Sequence, residues 1–462
     1  MMSSNAMEHG PVMVRAPASK SLSHRAIIAA ALAGGTSRLA NVLESDDIVR
    51  TMEVLRGCGV HIRREAPGMY TVTGATQGLS GGDTSSSLPC FMGESGTSCR
   101  LLTAVLAAGR GVFRIYGEGR LHERPMSPLT DILAELGVSF HYEGESGFAP
   151  FVMRTHGLVR GRGDMAWLPV PGAISSQFLS GLLLAAPLVS GGLGLVLSGT
   201  KIVSWPYVRL TLRIMEDFGC SFAVEVRNNS GVWSTVEDWR DVTSPEPGGV
   251  RIRVTAKPYQ SHSFAVEGDY SGASYLLAAG ALGSRPVTVT GLSHMSLQGD
   301  AVMLDILEAM GASVVWSKEG VTVFPAPLRG ITRNMGGCPD IVPTVAIVAA
   351  HATGPTVLEN IVHLRAKESD RIEALVCELV RAGVPARAVG DALIIEPNGK
   401  RPDGLINFSS HGDHRMAMAL TLFALNGVDV RLDNASCVSK SFPNFWEIWK
   451  HICPQTAAGL PS

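Results

Sequence analysis

One pattern, written six times along the chain, constrains the fold more than any other feature. Copies open at Ser37, Gly111, Gly192, Arg285, Pro355 and, in degenerate form, Val428. Each starts with alternating apolar residues, as a half-buried strand does. A polar loop and a helix-like stretch follow. In five copies that stretch runs to a glycine, at Gly59, Gly137, Gly219, Gly311 and Gly383. Glycine there suits the left-handed residue that ends a helix. The successive glycine spacings are 78, 82, 92 and 72 residues, too long for a solenoid and right for a small α/β unit.

Between the copies lie six more apolar helices, among them "SHRAIIAAALAGG", "GTSCRLLTAVLAAG" and "HRMAMALTLFALNG". Apolar on nearly every side, they are expected to be buried. Six units exceed one core, so division into two lobes of three is expected for 462 residues. The longest spacing contains "VRNNSGVWSTVEDWRDVTSPEPGG", a polar stretch over Val226–Gly249. A second chain crossing is expected just beyond it. The reading gives a first lobe over 21–263 and a second over 1–20 plus 264–462, with the N-terminal strand joining the second lobe.

Composition removes several classes of function. The net charge is −2, which argues against a nucleic-acid surface, so any cationic site must be local. Eight cysteines show no CxxC spacing, so zinc and dithiol chemistry are not expected, and buried reduced thiols are. "MMSSNAMEHG" lacks an apolar core of the secretory kind, and the longest apolar runs are broken by Gly or Ser. The expectation is a cytoplasmic monomer without membrane contact.

The helix mouths carry the chemistry. "PASKSLSHRA" gathers Lys20, Ser21 and Arg25 where a helix begins, and exposed N–H groups with the helix dipole favour an anion there. "GESGTSCR" is a second Gly-rich mouth, without the Lys that a Walker A loop needs. "HERPM" brings Arg124, and "ISSQF" brings Ser175, Ser176 and Gln177. "CPDIVPTVAIVAA" sets Asp340 before a helix, as a cap or a general base. "RAKESDRIEAL" puts Lys367 and Arg371 four residues apart, a like-charge pair that needs an anion or a carboxylate such as Glu368. "GDHRMAMAL" adds Asp413, His414 and Arg415, and "VSKSFPNF" adds Lys440. Any one of these is also an ordinary capped helix. Together they suit two phosphorylated small molecules, provided the mouths converge.

In order along the chain, "SKSLSHR", "GESGTSCR", "HERP", "SSQFL", "EGDYSGASYLLAA", "CPD", "RAKESDR", "DHRMAMAL" and "SKSFPNF" closely resemble the 5-enolpyruvylshikimate-3-phosphate synthase family. The resemblance implies an α/β (α+β) fold: a two-lobed inside-out α/β barrel of six βαβαββ units, three per lobe. It implies transfer of the enolpyruvyl group of phosphoenolpyruvate to the 5-hydroxyl of 3-phosphoshikimate, in the shikimate pathway to chorismate and the aromatic amino acids. No metal or organic cofactor is implied. Carried over residue by residue, it implies that Lys20, Ser21, Arg25, Ser175, Ser176, Gln177, Ser204, Asp340, His363 and Lys367 hold 3-phosphoshikimate. Lys20, Gly96, Arg100, Arg124, Gln177, Arg371, Arg415 and Lys440 would hold phosphoenolpyruvate. Asp340 would accept the hydroxyl proton, Glu368 would serve the methylene carbon, and Lys20 and Lys367 would assist.

The chain departs from the family pattern at His363, often Asn, and at Glu94, often Asn beside Gly96. Lys440 is a variable match, with Ser436 where some members place the cation. The nearest rival is the UDP-N-acetylglucosamine enolpyruvyl transferase. Its opening motif carries Lys-Asn where this chain has Lys20-Ser21, and its reactive loop Cys has no counterpart near Leu121–Met126. An RNA 3′-phosphate cyclase-like protein is opposed by the charge. A non-catalytic repeat scaffold would not need Asp340, Lys367 and Glu368.

Overall fold

The computed structural model describes residues 10–75, 77–159, 167–400 and 402–454. The chain divides into two compact units, one over Lys20–Val266 and one formed by the chain up to Ser19 together with the chain from Glu267 onward. The boundaries follow Ser19 and Val266, one residue before and three residues after the crossings at 20 and 263 expected from the sequence. Lys20 therefore belongs with the Lys20–Val266 unit, because it is the first residue of that unit's first helix.

The Lys20–Val266 unit holds six long helices: α1 (Lys20–Leu32), α2 (Asp46–Gly57), α3 (Gly96–Ala107), α4 (Ser127–Glu135), α5 (Ser176–Ala185) and α6 (Trp205–Asp217). Three sheets share one plan. In the second, Leu88–Phe91 runs parallel to Gly111–Tyr116, which pairs antiparallel with Phe151–Thr155, which pairs with Ser139–Tyr142. The third repeats this with Trp167–Pro171, Leu193–Ser198, Val250–Val254 and Phe222–Arg227. The first borrows its leading strand from the far end of the unit, Ser263–Ala265 beside Thr36–Ala40.

The other unit carries α7 (Tyr270–Leu282), α8 (Met303–Met310), α9 (Val342–Ala350), α10 (Arg371–Arg381), α11 (His414–Leu420) and α12 (Phe445–Ile452). Its first sheet is led by the N-terminal strand Val12–Arg15, parallel to Val287–Thr290. Its second is led by Thr332–Asn334, and its last, among the described residues, is the parallel pair Leu405–Phe408 and Asp429–Leu432. That short sheet is the degenerate sixth copy seen in the sequence.

The two helix classes separate as their patterns require. The apolar helices α1, α3, α5, α7, α9 and α11 are buried over nearly all their length. Val345, Ile347 and Val348 of α9 are wholly inaccessible, and each such side chain stabilises the fold by roughly 1.5–3 kcal/mol. The amphipathic helices α2, α6 and α10 bury one face. All five repeat-ending glycines take positive φ, between 75° and 111°, the conformation that favours glycine over other residues.

The Val226–Gly249 stretch is folded. It turns back as a strand, Trp233–Thr235, then places Trp239 in a buried short helix whose Nε1 donates to Glu216 Oε1 at 3.2 Å. None of the eight cysteines is in a disulfide; six are buried, but Cys377 is exposed and Cys437 partly so. Among the described residues, no helix is long and apolar enough to cross a membrane, and no group of three or more His, Cys, Asp or Glu could hold a metal ion.

Candidate active site

In the Lys20–Val266 unit the polar residues gather where α1, α3 and α5 begin. Lys20 Nζ lies 3.0 Å from Asp47 Oδ2, in the first turn of α2. One turn on, His24 Nδ1 meets Thr51 Oγ1 at 2.9 Å, Thr51 meets Ser98 Oγ at 3.0 Å, and Ser98 Oγ donates to Ser95 Oγ at 2.8 Å. This chain ties α1 to α2 and α3. Burial pushes the His24 imidazole down to about 3, with Lys20 and Arg25 adding to the effect against Asp47. His24 is thus neutral and structural.

Arg25 is 1% exposed. Its Nε donates to Thr211 Oγ1 at 2.8 Å, Nη1 to the Ser21 carbonyl at 2.8 Å, and Nη2 to Ser180 Oγ at 3.3 Å and the Tyr207 carbonyl at 3.1 Å. No carboxylate among the described residues pairs with it. Burial pulls its guanidinium down to about 10. Removing a cation from water is costly, and neutral oxygens offset only part of that cost. An anion near this group is favoured.

At the start of α3, Ser95 Oγ accepts the Ser98 N–H at 3.1 Å, a serine cap. Gly96 lets the Arg124 guanidinium lie against the backbone: a Cβ there would sit 2.5 Å from its central carbon and would displace it. Arg100 Nη1 donates to Gln177 Oε1 at 3.0 Å and stands 3.4 Å from Ser175 Oγ. Gln177 Nε2 donates to Thr97 Oγ1 at 2.9 Å, so its amide is fixed from both ends. Ser175 caps α5 through the Gln177 N–H, and Ser176 is buried behind it. Ser204, before α6, is held at φ 57°, strained for a residue with a side chain. The Glu94 carboxylate packs where a side chain on Gly119 would otherwise lie.

In the other unit the site is a lattice of charges. Asp340 Oδ2 accepts from Arg415 Nη2 at 2.7 Å, and its Oδ1 lies 3.1 Å from Arg371 Nη1 and 3.8 Å from Lys367 Nζ. Arg371, 1% exposed, also reaches Glu368 Oε2 at 2.8 Å and Asp413 Oδ2 at 2.8 Å. Asp413 caps α11 through the Arg415 N–H at 2.9 Å. So the like-charged Lys367 and Arg371 do converge on carboxylates. Burial pushes the Asp340 carboxyl up, but Arg415, Lys367 and Arg371 together outweigh burial and Glu368 and hold it well below the usual range. Burial likewise opposes the charge of Arg371, and Asp413, Glu368 and Asp340 overcome it, so its affinity for the proton is raised.

Asp300, beside this lattice, bonds to Ser271 Oγ; burial and the charge of Asp340 raise its carboxyl to about 7. His363 is buried in the short helix Val362–Ala366 just before Lys367, and Lys440 is buried at the end of Ser436–Lys440, packed against α11.

The reading from sequence passed over Asp47, Thr97, Tyr207, Asp300 and the anchoring role of Asp413. Only Asp413 left a signal, as the capping residue of "GDHR".

The family model described as EPSP synthase (3-phosphoshikimate 1-carboxyvinyltransferase) matches residues 10–238 and 241–449. The chain belongs to the EPSP synthase family. Every site residue expected from sequence falls inside the matched stretches. A 3-phosphoshikimate 1-carboxyvinyltransferase of a Marinomonas species is 36% identical over 439 residues, covering 95% of this chain and 96% of the relative. One of a Sulfurovum species is 38% identical over 443 residues, covering 95% and 96%. Among solved structures, the EPSP synthase of Acinetobacter baumannii superposes with a TM-score of 0.71 at 25% identity, over 96% of this chain and 95% of that one. The enolpyruvyl transferase NikO of Streptomyces tendae, at 18% identity and a TM-score of 0.67, shares the fold. The internal break between the two matched stretches, Trp239 and Arg240, lies in the folded-back Val226–Gly249 segment.

Proposed function

We propose that the chain transfers the enolpyruvyl group of phosphoenolpyruvate to the 5-hydroxyl of 3-phosphoshikimate and releases phosphate. The observation that carries this is the sharing of Asp340 by Arg415, Arg371 and Lys367 beside Glu368. Such a set offers cations for two phosphates and carboxyl groups for two proton transfers. The match to 3-phosphoshikimate enzymes favours this acceptor over the UDP-sugar.

The chemistry assigns the roles. Glu368 delivers a proton to the methylene carbon of phosphoenolpyruvate, leaving positive charge on the adjoining carbon. The 5-oxygen bonds to that carbon while its proton passes to Asp340. The adduct then returns a methyl proton to Glu368, the carbon–oxygen bond to phosphate breaks as the double bond re-forms, and the proton held by Asp340 leaves with the phosphate. Lys20, Lys367, Arg124, Arg371, Arg415 and Lys440 stabilise the developing phosphate charge. Ser21, Arg25, Ser175, Ser176, Gln177, Ser204 and His363 hold 3-phosphoshikimate, and Gly96 and Arg100 border the donor.

The depressed carboxyl of Asp340 fits this scheme. Ringed by cations it is a weak base, but anions that engage those cations raise its affinity for a proton. Basicity then appears when both substrates are bound. The enzyme works as a cytoplasmic monomer.

The test is phosphate release from phosphoenolpyruvate with 3-phosphoshikimate, compared with the UDP-sugar. Turnover with the former alone is expected, and Asp340→Ala and Glu368→Gln should each lose most of it with binding partly retained. Turnover with the UDP-sugar, or wild-type rates in either variant, would overturn the corresponding assignment.

A further inference from the structure

The segment between Phe408 and Asp413 aims two residues of the charge lattice, Asp413 and Arg415, and every backbone N–H from Ser409 to Asp413 has a partner. The Ser409 N–H donates to Glu378 Oε2 at 3.2 Å and the Ser410 N–H to Asp433 Oδ1 at 2.8 Å. The His411 N–H donates to Ser409 Oγ at 3.2 Å, the Gly412 N–H to Ser410 Oγ at 3.3 Å, and the Asp413 N–H to the Ser410 carbonyl at 2.9 Å. Consecutive residues, His411 at φ 52° and Gly412 at φ 67°, take the left-handed conformation that turns the chain into α11. At His411 this is a strained conformation, which persists only where the surroundings impose it.

What imposes it is on α10. Glu378 is buried in the body of that helix, and its Oε1 meets His411 Nε2 at 3.0 Å while Oε2 takes Arg381 Nε at 2.9 Å. Arg371 stands seven residues earlier, about two turns away on the same face, and grips Asp413 through both carboxylate oxygens at 2.8 and 3.4 Å. One helix thus holds the turn at two points. Arg371 fixes the end where the chemistry lies. Glu378 fixes the strained residue that sets the direction of approach. Nothing in the proposed reaction uses His411 or Glu378.

We infer that the Glu378–His411 contact is a positioning clamp for the phosphoenolpyruvate arginine Arg415: it holds the turn whose direction sets the reach of Arg415 to Asp340. The inference rests on the reading of Arg415 as a donor-site residue. His411 touches no substrate and acts through the turn. Losing its bond lets the turn relax, moves the Arg415 guanidinium, and weakens donor binding more than acceptor binding.

The test uses steady-state kinetics of the full chain with Arg415→Ala, His411→Asn and His411→Gln, beside thermal melts. Asn tolerates positive φ but cannot reach Glu378; Gln places a donor nitrogen near the position of Nε2. His411→Asn should raise the KM for phosphoenolpyruvate about tenfold and leave that for 3-phosphoshikimate within about twofold. His411→Gln should restore most of the loss, and the melting temperatures of both should stay close to wild type. If Arg415→Ala raises the donor KM and His411→Asn does not, the clamp is overturned and the role of Arg415 stands. If Arg415→Ala leaves the donor KM unchanged, the reading of Arg415 falls and the clamp with it. If both KM values and the melting temperature of His411→Asn worsen together without rescue by Gln, His411 is structural only and the inference fails.

Discussion

Arg25 and Arg371 are both 1% exposed, and they meet burial in opposite ways. Arg25 is surrounded by hydroxyl and carbonyl oxygens, and its proton is loosened, to about 10. Arg371 is bound by Asp413, Glu368 and Asp340, and its proton is held more tightly than usual. The difference separates two jobs that look alike in sequence. A buried cation with neutral partners keeps its field for a ligand. A buried cation with three carboxylates has committed its field to placing them. Arg371 therefore holds Asp340 and Glu368 in place, whereas the charge of Arg25 is committed to no carboxylate among the described residues.

The contrast can be broken most directly by removing each charge. Arg371→Met leaves mutually repelling carboxylates in a buried place and should destabilise the chain by about 3–5 kcal/mol, seen as a large fall in Tm. Arg25→Met leaves only hydroxyls and carbonyls without a donor. It should cost about 1–3 kcal/mol and chiefly weaken 3-phosphoshikimate binding. Equal melting temperatures for the two variants would end the comparison.

Asp340→Asn probes the carboxylate side. We expect kcat to fall about hundred- to thousandfold, or roughly 3–4 kcal/mol in the barrier, with the KM for 3-phosphoshikimate within about threefold. Gly96→Ala probes the Lys20–Val266 unit, because its methyl group must displace the Arg124 guanidinium from 2.5 Å. The KM for phosphoenolpyruvate should rise about tenfold with kcat nearly unchanged.

The smallest effect should come from an arginine–carboxylate pair on the surface. Arg64 Nε and Nη2 hold both oxygens of Glu44 at 2.6 and 2.8 Å, the same chemistry as at Arg371 but in solvent. The Arg64 bond, against burial and with the Gly68 N–H and Tyr70, pulls the Glu44 carboxyl down to about 2. A depressed carboxyl adds stability above its usual 4.5 that is lost as pH falls toward 2. Solvent screening makes that contribution small, so Glu44→Gln should move Tm by no more than about 2 °C at neutral pH. It should also flatten the acid limb of the stability curve. A larger shift would mean that pairing, rather than burial, governs the contrast.

The sequence carried the repeat because each copy depends on local periodicity and a helix-ending residue, both visible within about thirty residues. It carried the charge lattice because Lys367, Glu368 and Arg371 share one short run and Asp413 and Arg415 another. It could not carry the Lys20–Asp47 pair, which spans 27 residues and depends on how α1 meets α2. Nor could it show that Asp300 lies beside Asp340, since only the packing of two short helical turns brings them near. The distinction between Arg25 and Arg371 was hidden for the same reason: it lies in the partners each one meets.

The strand Val12–Arg15 has a consequence for how the molecule is made. It is synthesised before its partner, Val287–Thr290, which follows only after some 275 further residues. At roughly 5–20 residues per second that delay is of the order of a quarter to a whole minute, while the Lys20–Val266 segment, synthesised in between, emerges entire. The inserted unit therefore has the opportunity to fold first, while the strand still waits for its partner.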